Sequence, residues 1–381
     1  MLRRLALLSI VIAIGCGAAG RGRPIPPRDY PPTLDSTWFE APGDTSGLPD
    51  TSGPAKMRVH LIDIGQGAAT LVEFSCAAVL IDTGGEQHKR YDSTEHLVDY
   101  LRVFFKSRAD LDNTLALLVL THPHIDHTRG AGVVLGEFTV QNLVTDGLIT
   151  SSGGKQQRSA ISTAKVKNIP HQVVTNRGVP AGGLTSPVID PVTCPDGDPD
   201  IRALWGAIEK GSVRWDEKTF ENFNNHSVVL RIALGQASLL ITGDLEDDGI
   251  DELLKKHRGT TALDTDVYQV GHHGSYNATT KALLAALTPK LALIACGPHD
   301  RRSTWTGWAY GHPRAVTVEM LEKALAQAPP RKAVVVPVAA GAKKFEGWAI
   351  TAPIYATGWD SDVIVTMYAD GRLSTATRRS H

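Results

Sequence analysis

The stretch LVLTHPHIDHTRG, Leu118–Gly130, packs three histidines and one aspartate into the six residues His122–His127. An apolar run, Leu115–Leu120, leads straight into it. A continuous apolar run of that length reads as a buried strand. On extended backbone, residues i and i+2 point the same way, so His122 and His124 aim at one point. Asp126 and His127 follow where the chain is expected to turn into a helix, and they aim at a second point. Imidazole and carboxylate together suit zinc, manganese or iron. Four such groups at one strand end are far from a surface accident.

Other strand ends supply the remaining candidates. ASLLITGDL ends in Asp244, a carboxylate able to bridge two cations or, alternatively, to cap the helix behind it. TDVYQVGHHGS reads as a strand ending in His272 and His273. Adjacent side chains diverge on a strand, so one ligand is expected from the pair, and His272 is assigned to it, with His273 behind it. NFNNHSVVL offers His226 just before a strand. That strand and ASLLITGD are joined by a Gly235–Gln236 turn, and a hairpin would bring His226 within one or two rungs of Asp244. His226 is therefore a candidate third nitrogen beside His122 and His124, with a solvated loop histidine as the alternative.

The rest of the chain alternates similar units. MRVHLIDIG, ATLVEF and AAVLIDTGG read as strands from Met57 on, and EHLVDYLRVFFKSRA has helical spacing of Leu97, Leu101, Phe104 and Phe105. A helix is expected over about 248–256, further elements in KLALIACG and PRAVTVEMLEKALAQA, and a closing hairpin about Asp370–Gly371. Residues 141–222 are expected to form loops and short elements. The order suggests two β-rich layers flanked by helices.

The 381 residues carry 39 Lys plus Arg against 40 Asp plus Glu, so the strong basic footprint of a nonspecific nucleic-acid binder is absent. Residues 1–15 have a charged start, Arg3 and Arg4, and a short apolar core, which predicts an export signal. The ending AIGC is similar to a bacterial lipoprotein signal, with Cys16 as the lipidated residue. Residues 16–55 are rich in Pro, Gly, Ser and Asp and read as a disordered tether, leaving 56–381 as the folded domain. Cys76, Cys194 and Cys296 lack CxxC spacing, which argues against a thiolate zinc site. In an exported protein one pair could form a disulfide; Cys76 and Cys296 both sit in apolar contexts, where buried free thiols are the alternative.

THPHIDH matches the HxHxDH signature of the metallo-β-lactamase fold, with IDTGG, TGD and GHHGS in that family's order. HLIDIGQGAATLVEF, NNHSVVLRI, TPKLALIACG and YGHP resemble the hydrolase domain of the ComEC-type competence proteins and their stand-alone relatives. The resemblance covers roughly 57–376. It implies an α/β fold, a four-layer αβ/βα sandwich, with two divalent metal ions at one rim. Zinc is the expected metal, with manganese as the alternative. The ions would lie roughly 3.5–4 Å apart and activate a water between them. The implied assignment gives His122, His124 and His226 to one ion and Asp126, His127 and His272 to the other, with Asp244 bridging. Asp82 would orient a ligand, and His312 in YGHP would approach the substrate or protonate a leaving group.

Three readings of function follow. The first is a phosphodiesterase or nuclease in the cell envelope, held to a membrane by its lipid; nucleic acid as a partner has no support from the net charge. The second is hydrolysis of a small ester, lactone or lactam in an apolar pocket drawn from Trp305, Trp308 and Tyr310. The third is a non-catalytic, metal-binding surface lipoprotein.

Overall fold

The computed structural model describes residues 21–26, 34–39, 55–89, 91–210 and 215–379. Cys16, the export signal and most of the tether lie outside the described residues. Two sheets dominate. The first is built from β1 Lys56–Leu61, β2 Thr70–Glu73, β3 Ala78–Ile81, β4 Leu117–Leu120, β5 Leu143–Thr145 and β6 His171–Val173. The second holds β7 Asp200–Trp205, β8 Val229–Leu234, β9 Ala237–Ile241, β10 Val267–Gln269, β11 Leu291–Ile294 and β12 Ile354–Ala356. The closing hairpin, β13 Val363–Tyr368 and β14 Leu373–Thr377, returns to the first sheet. The strand orders are β6-β5-β4-β3-β2-β1-β13-β14 and β7-β8-β9-β10-β11-β12.

Three apolar clusters make this a four-layer αβ/βα sandwich. One joins the inner faces of both sheets, with Val59, Ile81, Val119 and Val365 of the first meeting Leu230 and Leu239 of the second. A second lies between the first sheet and its helices, a third between the second sheet and its own. Strands buried on both faces read as continuous apolar runs, which is why LALLVL and ASLLI were legible. Helix α1, Ser93–Ser107, starts at Asp92, whose side chain accepts from the Thr94 N–H, and buries Leu97, Leu101, Phe104 and Phe105.

Three features depart from the sequence expectations. Residues 141–222 contain a 14-residue helix, α2 Gly154–Lys167, and the strand β7. That helix buries Gln157, Ala160 and Ala164 rather than large apolar side chains, so it leaves little 3.6-residue signature. Residues 34–39, inside the expected tether, dock on the domain. Phe39 is buried against Tyr100 and Phe104, with ring centroids 5.3 and 5.7 Å away. Two aromatics in a polar stretch are enough to hold it. Finally, Cys76 pairs with Cys194, with their Cα atoms 5.5 Å apart, and its own residue is exposed rather than apolar-packed; Cys296 is buried outside the bridge.

Candidate metal centre

The strand ends of both sheets converge on one rim. Where β4 ends, Thr121 leads into His122–His127, and the residues after His124 form the short helix Ile125–Thr128. The turn is clamped from the first sheet: Thr83 N–H donates to the His127 carbonyl (2.8 Å) and Ala68 N–H to the Asp126 carbonyl (3.0 Å). Gly84 is required there, because a Cβ would stand 2.0 Å from the Asp126 carbonyl carbon. Asp82, at the end of β3 and at φ 59°, reaches across the rim. Its carboxylate accepts from the Thr121 N–H and hydroxyl, both at 2.8 Å, and sits 2.7 Å from His127 Nδ1.

That contact leaves His127 Nε2 pointing inward, 3.1 Å from Asp244 Oδ1. His273 is held in a similar way: its Nδ1 donates to the Ala295 carbonyl at 2.8 Å, and its Nε2 stands 3.4 Å from Asp126 Oδ2 and 3.6 Å from Asp244 Oδ2. One ligand atom each from Asp126, His127, Asp244 and His273 lie within 4.8 Å of one another. The Nε2 atoms of His127 and His273 are buried without a hydrogen-bond partner. A buried polar atom left unpaired is costly. Two such nitrogens facing two carboxylates suit a divalent cation in donor type and in tautomer. Next to this group, His122 Nε2 and His124 Nδ1 converge to 3.0 Å, and His122 Nε2 is 3.9 Å from Asp244 Oδ2.

Charge balance follows from burial. Desolvation pushes the His122 and His124 pKa values down, helped at His122 by the neighbouring histidines, and favours the neutral, ligating form. At His127 desolvation opposes the cation, but Asp244 and Asp82 outweigh it and raise the pKa well above the usual value. Burial pushes Asp244 up, yet His127, His273 and His272 hold it far below the ordinary carboxylate range. Carboxylates held ionised thus face imidazoles at one point, a donor set on which a cation can take the place of protons.

The structure corrects two assignments. His226 does not face the cluster: its Nδ1 accepts from the Ile208 N–H (3.0 Å) and its Nε2 donates to the Phe220 carbonyl (2.7 Å). The hairpin is real, but Leu230 pairs with Ile241, so three rungs further on Ser227, not His226, stands opposite Asp244. Ser227 Oγ accepts from the Asp244 N–H at 3.1 Å and lies 3.3 Å from His122 Nδ1. His226 instead ends the 3-10 turn Phe223–His226, which carries its ring away from the cluster, and the chain becomes extended only after it. The roles of the histidine pair also change. Gly271–Gly274 is a tight turn rather than a strand end, with His272 and His273 both at positive φ, 47° and 54°. Both rings therefore approach Asp244, but His273 is the buried one within the four-residue group. His272 is 3.7 Å from Asp244 Oδ2, and its Nδ1 meets Glu246 at 3.2 Å.

His312 is buried over the cluster, its ring stacked on His273 at 6.1 Å and edge-on to His272 at 5.7 Å. Desolvation, with His272 and His273 adding to it, keeps its pKa well below the usual value. Tyr310 stacks on its ring at 5.7 Å and meets the exposed Trp305 edge-on at 6.2 Å, while Trp308 lies under Lys343. Sequence reading missed Ser227, Thr121, Glu246 and Gln66; only the hairpin register could have pointed to Ser227.

Residues 62–299 match the metallo-β-lactamase superfamily, and the chain belongs to it. Members of this superfamily are generally metal-dependent hydrolases. The chain is 28% identical over 279 residues to ComE operon protein 3 of Bacillus subtilis, covering 70% of this chain and 30% of that protein. It is 25% identical over 258 residues to Recombination protein 2 of Haemophilus influenzae, covering 67% of this chain and 25% of that one. The chain thus spans under a third of the length of these curated relatives, which are competence proteins of the ComEC type. Among solved structures, the metallo hydrolase Igni18 of Ignicoccus hospitalis aligns at TM-score 0.37 and 13% identity, over 71% of this chain and 91% of that one.

Proposed function

We propose that the chain is an exported, lipid-anchored phosphodiesterase that works with two divalent ions, zinc in the first instance and manganese as the alternative. The observation that carries this is the pair of buried, unpartnered Nε2 atoms of His127 and His273 facing Asp244 and Asp126. Asp126, His127, Asp244 and His273 would hold one ion; His122 and His124, with Asp244 between, would hold the other. Ions bound there supply Lewis-acid polarisation of a phosphoryl oxygen and activation of water. The chain's own residues do the rest. Asp82 and the Ala295 carbonyl lock two imidazoles in the ligating tautomer, and the Thr121 hydroxyl and Ser227 brace His122. His312 stands ready to meet a substrate oxygen.

The ComEC-type signature favours a phosphodiester over a lactam. The cleft beside Glu246 is lined by Asp216, Glu217, Glu221 and Asp248 with Lys218, and this acidity favours a small phosphodiester over a long polyanion. The Cys76–Cys194 bridge supports an oxidising compartment, hence export. Among the described residues no helix is long and apolar enough to cross a membrane; the anchor in this proposal is the lipid on Cys16.

The test is to load the purified chain with zinc or manganese and assay a bis-aryl phosphodiester, single-stranded DNA, a lactone and a cephalosporin. Turnover of the phosphodiester, lost in His273→Ala, is expected. Cleavage of the lactone or cephalosporin alone would overturn the reading. Cys16→Ser is expected to move the protein from the membrane to the soluble fraction; retention after a salt wash would remove the anchor.

A further inference from the structure

The DIGQG loop, Asp63–Gly67, places one buried side chain between two distant parts of the chain. Gln66 Oε1 is 3.1 Å from the Gly297 N–H, and Gln66 Nε2 is 3.1 Å from His312 Nδ1. The loop itself is pinned, since the Gln66 N–H donates to Glu86 Oε2 at 3.2 Å. A backbone N–H can only donate. The Gln66 atom facing Gly297 must therefore be the oxygen, and the amide nitrogen must be the end that faces His312. An amide nitrogen also only donates, so His312 Nδ1 must offer its lone pair. A neutral imidazole with a bare Nδ1 carries its proton on Nε2, and an imidazolium would set N–H against N–H across that bond.

We propose that Gln66 is a positioning residue that fixes His312 as the Nε2–H tautomer, so that His312 presents a hydrogen-bond donor to the substrate at the metal centre rather than acting as a base or a metal ligand. Stacking between His273 and Tyr310, at interplanar angles of 24° and 18°, sets the plane of the ring. The Gln66 contact then decides which nitrogen of that plane is bare and which is protonated. A donor aimed at an oxygen that gains charge in the transition state contributes through electrostatic preorganisation. The identity of that oxygen as a phosphoryl or leaving-group oxygen rests on the phosphodiesterase reading; the tautomer does not.

The experiment is nitrogen-detected NMR of the full chain labelled with 15N at histidine, metal-free and zinc-loaded, with His312 assigned by its loss in His312→Gln. The expected wild-type pattern is Nε2 protonated and Nδ1 bare. In Gln66→Glu the carboxylate accepts from His312, so the proton should move to Nδ1. In Gln66→Met, which adds no charge, the preference should be lost. Both variants should keep a native unfolding transition and lose on the order of a hundredfold in kcat with little change in KM, the scale for one misplaced transition-state donor. A wild-type ring protonated at Nδ1, or at both nitrogens, would overturn the proposal. So would a tautomer shift in either variant with unchanged kcat. If the glutamate variant does not fold, the wild-type spectrum and the methionine variant still decide. Wild-type chain inactive on every phosphodiester would instead sink the phosphodiesterase reading and leave the tautomer standing.

Discussion

Replacing His226 by alanine separates a stability role from a metal role. The ring makes two hydrogen bonds to backbone groups, at 3.0 and 2.7 Å, and packs against Phe220 and Phe223 at 5.1 and 6.2 Å. Each bond contributes about 1 kcal/mol net, and stranding the Ile208 N–H inside the protein costs roughly another 1–3 kcal/mol. The expected loss is therefore about 3–5 kcal/mol, a large share of the roughly 5–15 kcal/mol that holds a typical domain. The assay is urea unfolding of the metal-free protein, so that metal binding does not enter the comparison. Metal content and affinity are measured alongside by chelator competition and elemental analysis. His226→Ala should unfold at clearly lower urea yet hold the wild-type number of ions. His273→Ala should do the reverse and lose an ion with its fold intact. The reasoning is refuted if His226→Ala loses a metal equivalent while its unfolding midpoint stays where it was.

Asp82→Asn should weaken metal binding by about 10- to 100-fold, because the carboxylate that orients His127 is gone; chelator competition with less than a twofold change would remove that role. Glu73 lies buried beside His60, Arg58 and Arg108, and although burial works against it their hydrogen bond and charges lower its pKa to about 2. Its folded pKa is below the unfolded one, so it stabilises the protein above about pH 4.5, by about 3 kcal/mol, and that contribution fades as pH falls toward 2. Glu73→Gln should flatten the stability curve in that window, and an unchanged acid limb in urea unfolding would count against it. In the Cys16→Ser chain, denatured thiol titration should find one reactive cysteine before reduction and three after. Reduction should lower stability by up to about 5 kcal/mol for a bridge spanning 118 residues; three thiols before reduction would dismiss the Cys76–Cys194 pair.

Much of the site was legible because its chemistry is local. His122, His124, Asp126 and His127 share one strand end, and Asp244 closes another apolar run, so ligand density and apolar runs marked two ligand-bearing strand ends, while their meeting at one rim was implied only by the family resemblance. Buried strands announce themselves as apolar runs, and α1 by its regular apolar spacing. Helix α2 escaped because it packs through alanines and Gln157, which carry no amphipathic signal. The remaining decisions belong to tertiary structure, where the facing of a side chain depends on register and turn shape. A one-residue offset in the β8–β9 hairpin put Ser227 beside Asp244 and turned His226 into the loop. A tight turn with two positive φ values brought His273 inward where a strand would have split the pair. Gln66 meets His312 across 246 residues and Cys76 meets Cys194 across 118, contacts that no local pattern encodes because they exist only once both sheets have closed on each other.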